Sequence, residues 1–147
     1  MPEINLPATV QSINDGLAFL HEQIGQDHQE LMGHVDLAVE ELMVNSALYA
    51  YADDAHKNHP KHGQFILGCR WVNIDGTKQF CVWLRDFGRP FDPFSQTKEP
   101  NVNLPLEERQ LGGLGVHLIK HVSNHYIYSS SDGSNTVELY FDLGHQL

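Results

Sequence analysis

The amino-acid sequence predicts an α+β domain, a two-layer sandwich in which about three helices cover a mixed, mostly antiparallel sheet. One observation is that two segments rich in β-branched and aromatic residues are each interrupted by a tight-turn sequence, Asp75-Gly76 in the first and Ser-Asp-Gly-Ser at 131–134 in the second. The other is that apolar residues with helical spacing occur outside these segments. Hairpins that are segregated from helices are typical of this class.

The first elements along the chain are a strand and two helices. The strand is predicted at 3–6, and the first helix over 9–26, with Thr9 as its N-cap and Gly25 at its end. The second helix is predicted over 27–52, because apolar residues recur there at helical spacing. Its apolar stripe comprises Leu31, Val35, Ala38, Leu42 and Tyr49.

Two hairpins and a further helix complete the predicted fold. The connection at 88–113 is longer than a usual loop, which indicates a functional loop or a lid. The first hairpin is expected to pair 65–74 with 78–87. The further helix is expected at 114–124, and the second hairpin is expected to pair 125–131 with 135–143.

The turn of the first hairpin decides whether the two cysteines can meet. If 75–76 form a two-residue turn, Cys69 pairs with Val82 and Cys81 pairs with Arg70. Because neighbouring residues of a strand point to opposite faces, the two thiols then cannot bond. A three-residue loop would shift the register and bring the cysteines opposite each other.

The length and composition predict one domain over residues 1–147. The chain has 147 residues and a hydrophobic content of 41%, which is enough for one core. No apolar run approaches the roughly eighteen residues of a membrane span, and the N-terminus lacks the basic start and apolar segment of a signal peptide. Two cysteines in such a chain predict a reducing, cytoplasmic setting.

The formal net charge of −10 argues against binding to nucleic acid. A protein that binds nucleic acid needs basic residues to neutralise the phosphates. The same acidity means that a ligand carrying phosphates would need local backbone amides, a lysine or arginine, or a divalent cation.

Asn45 interrupts the apolar stripe of the second helix, and Glu41 lies beside it, four residues earlier. A carboxamide and a carboxylate at the edge of a core cost a few kcal/mol of desolvation, roughly, unless they are partnered. Two alternatives account for the pair: a buried hydrogen-bond network, or a site for a metal or ligand. An amide oxygen is a suitable Mg²⁺ ligand, and Glu41 could deprotonate a nucleophile.

Asp86 ends a predicted strand in the stretch Arg-Asp-Phe-Gly-Arg-Pro-Phe-Asp-Pro at 85–93. Gly88 permits either a positive φ or a close backbone approach. An aspartate in such a pocket can accept a hydrogen bond from an exocyclic amine, which would select adenine over guanine. The alternative is an ordinary turn after a strand.

Glycines precede the third predicted helix in Gln-Leu-Gly-Gly-Leu-Gly-Val at 110–116. Backbone amides without side chains can converge on an anion, and a helix N-terminus favours negative charge. No Lys-Ser/Thr follows, so the stretch is not a Walker A loop. The alternative is a helix start that needs only tight packing.

These three motifs together resemble the GHKL ATPase superfamily, and within it the small anti-sigma-factor serine kinases of bacteria. Glu41-x-x-x-Asn45 resembles the N box of that superfamily, the stretch 86–93 its adenine box, and the stretch 112–115 its second glycine box. The resemblance covers nearly the whole chain and implies the Bergerat ATP-binding fold, with ATP and Mg²⁺ as cofactors.

The resemblance also implies roles for the residues around the phosphates. Glu41 would be the general base toward the serine hydroxyl of a partner, and Asn45 would bind nucleotide and Mg²⁺. Gly112, Gly113 and Gly115 would line the phosphate site.

For the adenine end, the resemblance implies that Asp86 binds the amine and that Gly88 shapes the pocket. Thr136, near the start of the last strand, is similar to a family threonine close to adenine.

The function implied is that of an ATP- and Mg²⁺-binding serine-protein kinase that acts as an anti-sigma regulatory factor. Its expected partners are an anti-anti-sigma-like protein and a sigma factor, with a homodimer as the expected assembly and neither nucleic acid nor membrane as a partner. The first alternative is a nucleotide-binding regulatory module that switches partner affinity without phosphoryl transfer. The second is a fragment of a larger sensory system, since this chain lacks the phosphoacceptor helix pair of a self-contained histidine kinase.

The sequence departs from the family pattern at Tyr49, where members commonly have a histidine. In the predicted lid at 94–111, Lys98 and Arg109 are candidates to contact phosphate charge. Glu40 is the less favoured carboxylate, because its side chain points about 100° away from that of Glu41.

A second candidate metal site lies in the loop that follows the second predicted helix, with loop histidines without a metal as the alternative. Three histidines at 56, 59 and 62 have a spacing that can bind zinc or nickel, but Pro60 prevents a regular helix there.

Overall fold

A computed structural model describes residues 2–90, 92–96 and 113–143 of the chain. Short 3₁₀ segments at Val10–Ser12 and Gln26–Leu31 precede the first two helices, and a π-helical turn at Ser46–Ala50 follows the second. The strands are β1 (Glu3–Pro7), β2 (Gln64–Ile74), β3 (Thr77–Asp86), β4 (His125–Ser131) and β5 (Ser134–Asp142). The helices are α1 (Ile13–Ile24), α2 (Met32–Asn45), α3 (Pro93–Gln96) and α4 (Gly113–Val122).

The five strands form one sheet in the order β1-β2-β3-β5-β4, and helices cover one of its faces. The predicted α+β sandwich is therefore confirmed. Each pairing among the described strands is antiparallel, so this part of the sheet contains no parallel pair. Because β5 lies between β3 and β4, the last strand of the chain borders the strand that ends in Asp86.

The first hairpin has the two-residue turn that its sequence predicts. Asp75 and Gly76 have φ values of 51° and 82°, a combination that only a few residue types adopt readily. Cys69 therefore pairs with Val82, and Cys81 pairs with Arg70. Both cysteines are free thiols in the described structure, as the opposite faces of the strands require.

The prediction of one continuous helix over 27–52 was wrong. Its start fails because His28 has a non-helical conformation (φ −130°, ψ 38°) and places its ring 4.9 Å from that of Trp71. Its end fails because the backbone changes from α to π geometry after Asn45. The wider turn buries Ser46 and leaves Tyr49 only half-buried, so Tyr49 does not continue the apolar stripe.

The first predicted helix also begins later than position 9. The 3₁₀ turn Val10–Ser12 comes first, and α1 starts at Ile13. Thr9 precedes that turn, but its hydroxyl contacts the Ser12 hydroxyl at 3.2 Å instead of capping a backbone amide. Gly25, with φ of 80°, ends α1 as predicted.

The core lies between the helices and the inner face of the sheet. Within the described ranges no helix is both long and apolar enough to cross a bilayer. The largest side chains that are fully buried in this core are Phe65, Phe80, Phe141, Leu20 and Met43.

A smaller apolar cluster covers part of the outer face of the sheet and depends on a glycine. Gly68 lies opposite Trp83 in the β2–β3 ladder, and the indole covers the place where a side chain at 68 would stand. A Cβ there would come within 2.1 Å of the Trp83 ring. Ile66 and Phe87 complete this cluster.

We expect Gly68→Ala to lower the free energy of unfolding by about 1–3 kcal/mol, because the new methyl group displaces the Trp83 ring. Gly33→Ala is the matched control, since an added Cβ at this exposed position in α2 meets nothing within 4 Å. The control should raise stability by about 0.5–1 kcal/mol through helix propensity. Urea unfolding measures both, and a Gly68→Ala protein as stable as the parent would contradict the packing described.

Candidate functional site

The π-helical turn brings the end of α2 against the chain that leaves β3. The carbonyl oxygen of Ala50, the last residue of the turn, accepts a hydrogen bond from the Arg89 amide at 3.1 Å. Gly88 packs so closely here that a Cβ would lie 1.9 Å from this same oxygen. The glycine at 88 is therefore required by a backbone-to-backbone contact and not by a positive φ.

Asp86 lies beside this contact, at the end of β3 and on the helix-covered face of the sheet. Its Oδ1 accepts hydrogen bonds from the Gly88 amide at 3.2 Å and from Asn135 Nδ2 at 2.9 Å. The Ser46 hydroxyl donates to Oδ2 over a longer distance of 3.4 Å. Burial raises the pKa of Asp86 above its ordinary value, and these donors oppose that rise.

Thr136 does not join Asp86, although it was expected near the same ligand. Neighbouring residues of a strand point to opposite faces, and along β5 it is Asn135 that pairs with Asp86. Thr136 lies on the outer face, where its hydroxyl accepts a hydrogen bond from Arg85 Nε at 3.0 Å. The structure therefore puts Asn135 in the place that sequence reasoning gave to Thr136.

Glu41 lies against the first turn of α4. A Cβ added at Gly115 would come within 2.0 Å of Glu41 Oε2, so only glycine allows this approach. The pKa of Glu41 is raised, first by burial and second by the charge of Glu40. Helix α4 begins at Gly113, and the partial positive charge at its N-terminus favours a carboxylate at this place.

Asn45 occupies the half-buried last position of α2. Glu41 precedes it by four residues, or about 6 Å along a helix axis, and Ser46, which bonds Asp86, follows it directly. One continuous segment at 41–50 thus contacts both the start of α4 and the end of β3.

Part of the predicted phosphate site lies outside the described residues. This applies to Gly112 and to Lys98 and Arg109, the two candidates in the lid. Of the predicted lid only its beginning is described, and there Lys120 of α4 donates to the Phe94 carbonyl oxygen at 3.0 Å.

Two of the three loop histidines pack against aromatic rings. His59 stacks on Phe87 with ring centroids 4.6 Å apart, and His62 meets the Tyr51 ring edge-on at 4.6 Å. Tyr51 in turn accepts a hydrogen bond from the Phe87 amide at 2.8 Å and donates to the Gln64 carbonyl oxygen. Across the described ranges, no three side chains of His, Cys, Asp or Glu are grouped as metal ligands.

Two residues of this site were missed by sequence reasoning. Ser46 carried a signal, because it is a second polar residue in the apolar stripe of the helix, but nothing in the sequence named Asp86 as its partner. Asn135 carried no such signal in the sequence, because its contact with Asp86 depends on β5 pairing with β3 in one particular register.

Comparison with known proteins identifies the family. Residues 5–141 match the family model described as histidine kinase-like ATPase domain. The chain belongs to the histidine kinase-like ATPase domain family. A search of curated proteins gave no match.

Solved structures similar to this ATPase domain include two bacterial histidine kinases. The histidine kinase domain of the Erythrobacter litoralis EL346 blue-light activated histidine kinase is 17% identical, with a TM-score of 0.49 over 93% of this chain and 61% of that one. The Acinetobacter baumannii histidine kinase AdeS is 10% identical, with a TM-score of 0.48 over 99% of this chain and 69% of that one. The chain thus spans 61% of the length of the Erythrobacter structure.

Membership of this family implies nucleotide binding, usually with Mg²⁺, and the side chains present in the ATPase domain fit both groups. Asp86 Oδ2 has only the long Ser46 hydrogen bond among its described contacts, so it retains lone pairs for a ligand amine. Asn45 offers an amide oxygen, which is a hard ligand of the type that Mg²⁺ prefers.

We expect Asp86→Asn to stabilise the nucleotide-free domain at pH 7. Because the native pKa of Asp86 is raised, the native state binds its proton more tightly than the unfolded chain does. The free energy of unfolding therefore falls as pH rises from about 4 through the native pKa of Asp86. Above that pKa, the ionised and buried carboxylate destabilises the folded domain. Asparagine keeps the oxygen that accepts from Gly88 and Asn135 but cannot ionise.

Calorimetric melting from pH 4 to pH 8 measures this difference between variant and parent, which should shrink toward pH 4. Asp132→Asn is the control, since Asp132 is exposed and its φ of 52° suits asparagine. A melting temperature for Asp86→Asn below that of the parent at pH 7 would contradict the burial cost assigned to Asp86.

Proposed function

We propose that this domain is an ATP- and Mg²⁺-dependent serine-protein kinase that acts as an anti-sigma regulatory factor. The observation that carries the proposal is that the segment at 41–50, which contains Asn45, contacts the end of β3 and the start of α4. Asp86 approaches one end of the segment at 41–50 through Ser46, and Glu41 approaches Gly115 from the other end. A base site at the end of β3 and a phosphate site at the start of α4, joined by one segment, suit one nucleoside triphosphate.

Asp86 selects adenine in this proposal. Its Oδ2 accepts a hydrogen bond from the 6-amino group, whereas guanine presents a carbonyl oxygen at the same position of the ring. Two acceptors cannot bond each other, and leaving a buried acceptor unpaired costs about 1–3 kcal/mol. Gly88 shapes this site by letting the backbone after β3 pack against Ala50, because a side chain at this position would collide with the Ala50 carbonyl oxygen.

The phosphates of ATP lie toward Gly112, Gly113 and Gly115 in this proposal, with Asn45 as a ligand of Mg²⁺. Bound Mg²⁺ neutralises phosphate charge. This is needed in a domain of net charge −10 in which Glu41 stands beside Gly115. The N-terminus of α4 adds a favourable partial positive charge on the same side.

Glu41 acts as general base in the proposed transfer. The serine hydroxyl gives its proton to the Glu41 carboxylate, its oxygen forms a bond to the γ-phosphorus, and the bond from that phosphorus to the departing ADP oxygen breaks. The raised pKa of Glu41 makes its carboxylate a stronger base than an exposed one. Positioning and charge neutralisation supply most of the acceleration in such reactions.

The proposed partners are proteins: an anti-anti-sigma-like protein that carries the serine, and a sigma factor that the domain sequesters. The resemblance of the three motifs to anti-sigma-factor kinases supports this assignment, as does the acidity that disfavours nucleic acid. We place the protein in the cytoplasm and propose that it works as a homodimer.

The alternative is a domain that binds nucleotide and switches partner affinity without phosphoryl transfer. One observation favours it: Tyr49 stands where related kinases commonly have a histidine. A bound nucleotide that stays unhydrolysed, with no phosphorylated partner, would distinguish this function.

We expect ATP and ADP to raise the melting temperature of the domain only when Mg²⁺ is present, and GTP to raise it far less. At a ligand concentration about one hundred times Kd, linkage contributes about 2.7 kcal/mol. Asp86→Ala should abolish the preference for adenine. Equal shifts from ATP and GTP in the parent would remove the proposed role of Asp86.

We expect Glu41→Gln to slow phosphoryl transfer to a cognate serine protein by about 10²–10⁴-fold, because the variant lacks the base. ADP affinity should not fall, since glutamine keeps the shape and removes a charge that repels phosphates. Glu22→Gln is the control, because Glu22 is exposed on α1 and its charge is not one of those that raise the pKa of Glu41. Phosphate incorporation measured in single turnover reports both variants, and undiminished transfer by Glu41→Gln would favour the alternative function.

A further inference from the structure

Asn135 is buried next to the site, with 5% of the residue's surface exposed, and its side chain takes part in several hydrogen bonds. Besides its hydrogen bond to Asp86, Nδ2 lies within hydrogen-bonding distance of the Gly88 carbonyl oxygen at 3.0 Å and the Arg89 carbonyl oxygen at 3.2 Å. Its Oδ1 accepts hydrogen bonds from the hydroxyls of Tyr128 at 3.0 Å and Ser130 at 2.9 Å. A single amide thus joins β3, β4, β5 and the chain that leaves β3.

The surroundings of Asn135 fix which end of the amide faces Asp86. A carboxylate and two backbone carbonyl oxygens can only accept hydrogen bonds, so the NH₂ group must point toward them. The two hydroxyls on β4 can donate, and they satisfy the amide oxygen on the other side. Turning the amide over would set its oxygen against three acceptors inside a buried site, where unpaired polar groups are costly.

This orientation gives the two oxygens of Asp86 different roles. Oδ1 is engaged by Asn135 and by the Gly88 amide, whereas Oδ2 has only the 3.4 Å contact with Ser46. The backbone that forms the pocket is held from two sides, because Asn135 bonds the 88–89 carbonyl oxygens while Ala50 accepts from the Arg89 amide.

We propose that Asn135 is the positioning residue for adenine recognition: it occupies Oδ1 of Asp86 and holds the 88–89 backbone, so that Oδ2 is the oxygen presented to the 6-amino group. This inference rests on the proposed binding of ATP. It assigns Asn135 no contact with the nucleotide. Without Asn135 the carboxylate loses a donor and can rotate, and adenine loses its advantage over a base that lacks the amine.

The ionisation of Asp86 supplies a second readout. Asp86 is faced by Ser46 from the π-helical turn, by Asn135 from β5 and by the Gly88 amide. The titratable group whose charge couples to it is Tyr51, whose own pKa is raised to about 12, mainly by burial, so Tyr51 stays neutral in the working range. Removing the Asn135 donor should therefore move the acid limb of ATP binding to higher pH.

The test compares Kd values of Mg·ATP and of Mg·purine-riboside triphosphate, which lacks the 6-amino group, measured by calorimetry from pH 5 to pH 9. The parent should prefer ATP by at least about tenfold, the value of one hydrogen bond to a charged group. In Asn135→Leu this preference should fall to about twofold or less, and the acid limb should move to higher pH.

Asn124→Leu is the matched control. Asn124 also binds β5 through its side chain, with Oδ1 accepting from the Asp142 amide at 3.0 Å, but it lies at the opposite end of that strand. It should keep the preference for ATP and the pH profile of the parent, even if its stability falls. Loss of the preference in both leucine variants would reduce Asn135 to a general structural role and overturn the proposal.

A second variant, Asn135→Asp, keeps the shape and puts a carboxylate beside Asp86. Two adjacent carboxylates share one proton at low pH and repel each other when both ionise. The preference for ATP should therefore be absent at pH 8 and partly restored near pH 5, the reverse of the parent. If the parent prefers ATP and Asn135→Leu or Asn135→Asp keeps that preference at every pH, the role of Asn135 is wrong while ATP binding stands. If the parent shows no preference, both proposals fail.

Discussion

The buried carboxylate of Asp86 is the constraint on which the rest of the site depends. Removing a charge from water is expensive unless donors surround it, and here the donors come from three parts of the fold. The Gly88 amide, Asn135 on β5 and Ser46 on the π-helical turn each contribute one. The Asp86 carboxylate, whose burial is itself unfavourable, therefore links the sheet, the helical layer and the loop that follows β3 through its hydrogen bonds.

The π-helical turn explains how one helix serves both ends of the site. A π-helical turn is rare and is frequently found at functional sites. Here it turns Ser46 toward Asp86 and places the Ala50 carbonyl oxygen against Gly88, while the preceding α-helical part keeps Glu41 against Gly115. The two glycines have the same function in packing: each lets another group come close, one a carbonyl oxygen and the other a carboxylate.

The sequence predicted correctly the features that depend on interactions between residues close together in the chain. The turn at 75–76 was predicted because few residues accept positive φ, whereas its register was predicted only for the case of a two-residue turn. The segregation of helices and hairpins gave the α+β class. Helix ends were predicted less well, since the ring contact of His28 and the change to π geometry after Asn45 are tertiary effects. Asn135 could not be found, because β5 pairs with β3 across the chain and a shift by one residue would have made Thr136 the neighbour of Asp86.

The central claim is tested most directly by a crystal structure of the domain with Mg²⁺ and a non-hydrolysable ATP analogue. The account predicts the 6-amino nitrogen of adenine at about 2.7–3.2 Å from Asp86 Oδ2, with Asn135 still bonded to Oδ1 and the phosphates on the side of Gly115. A nucleotide whose base lies away from Asp86, or whose amine bonds Oδ1 in place of Asn135, would contradict it.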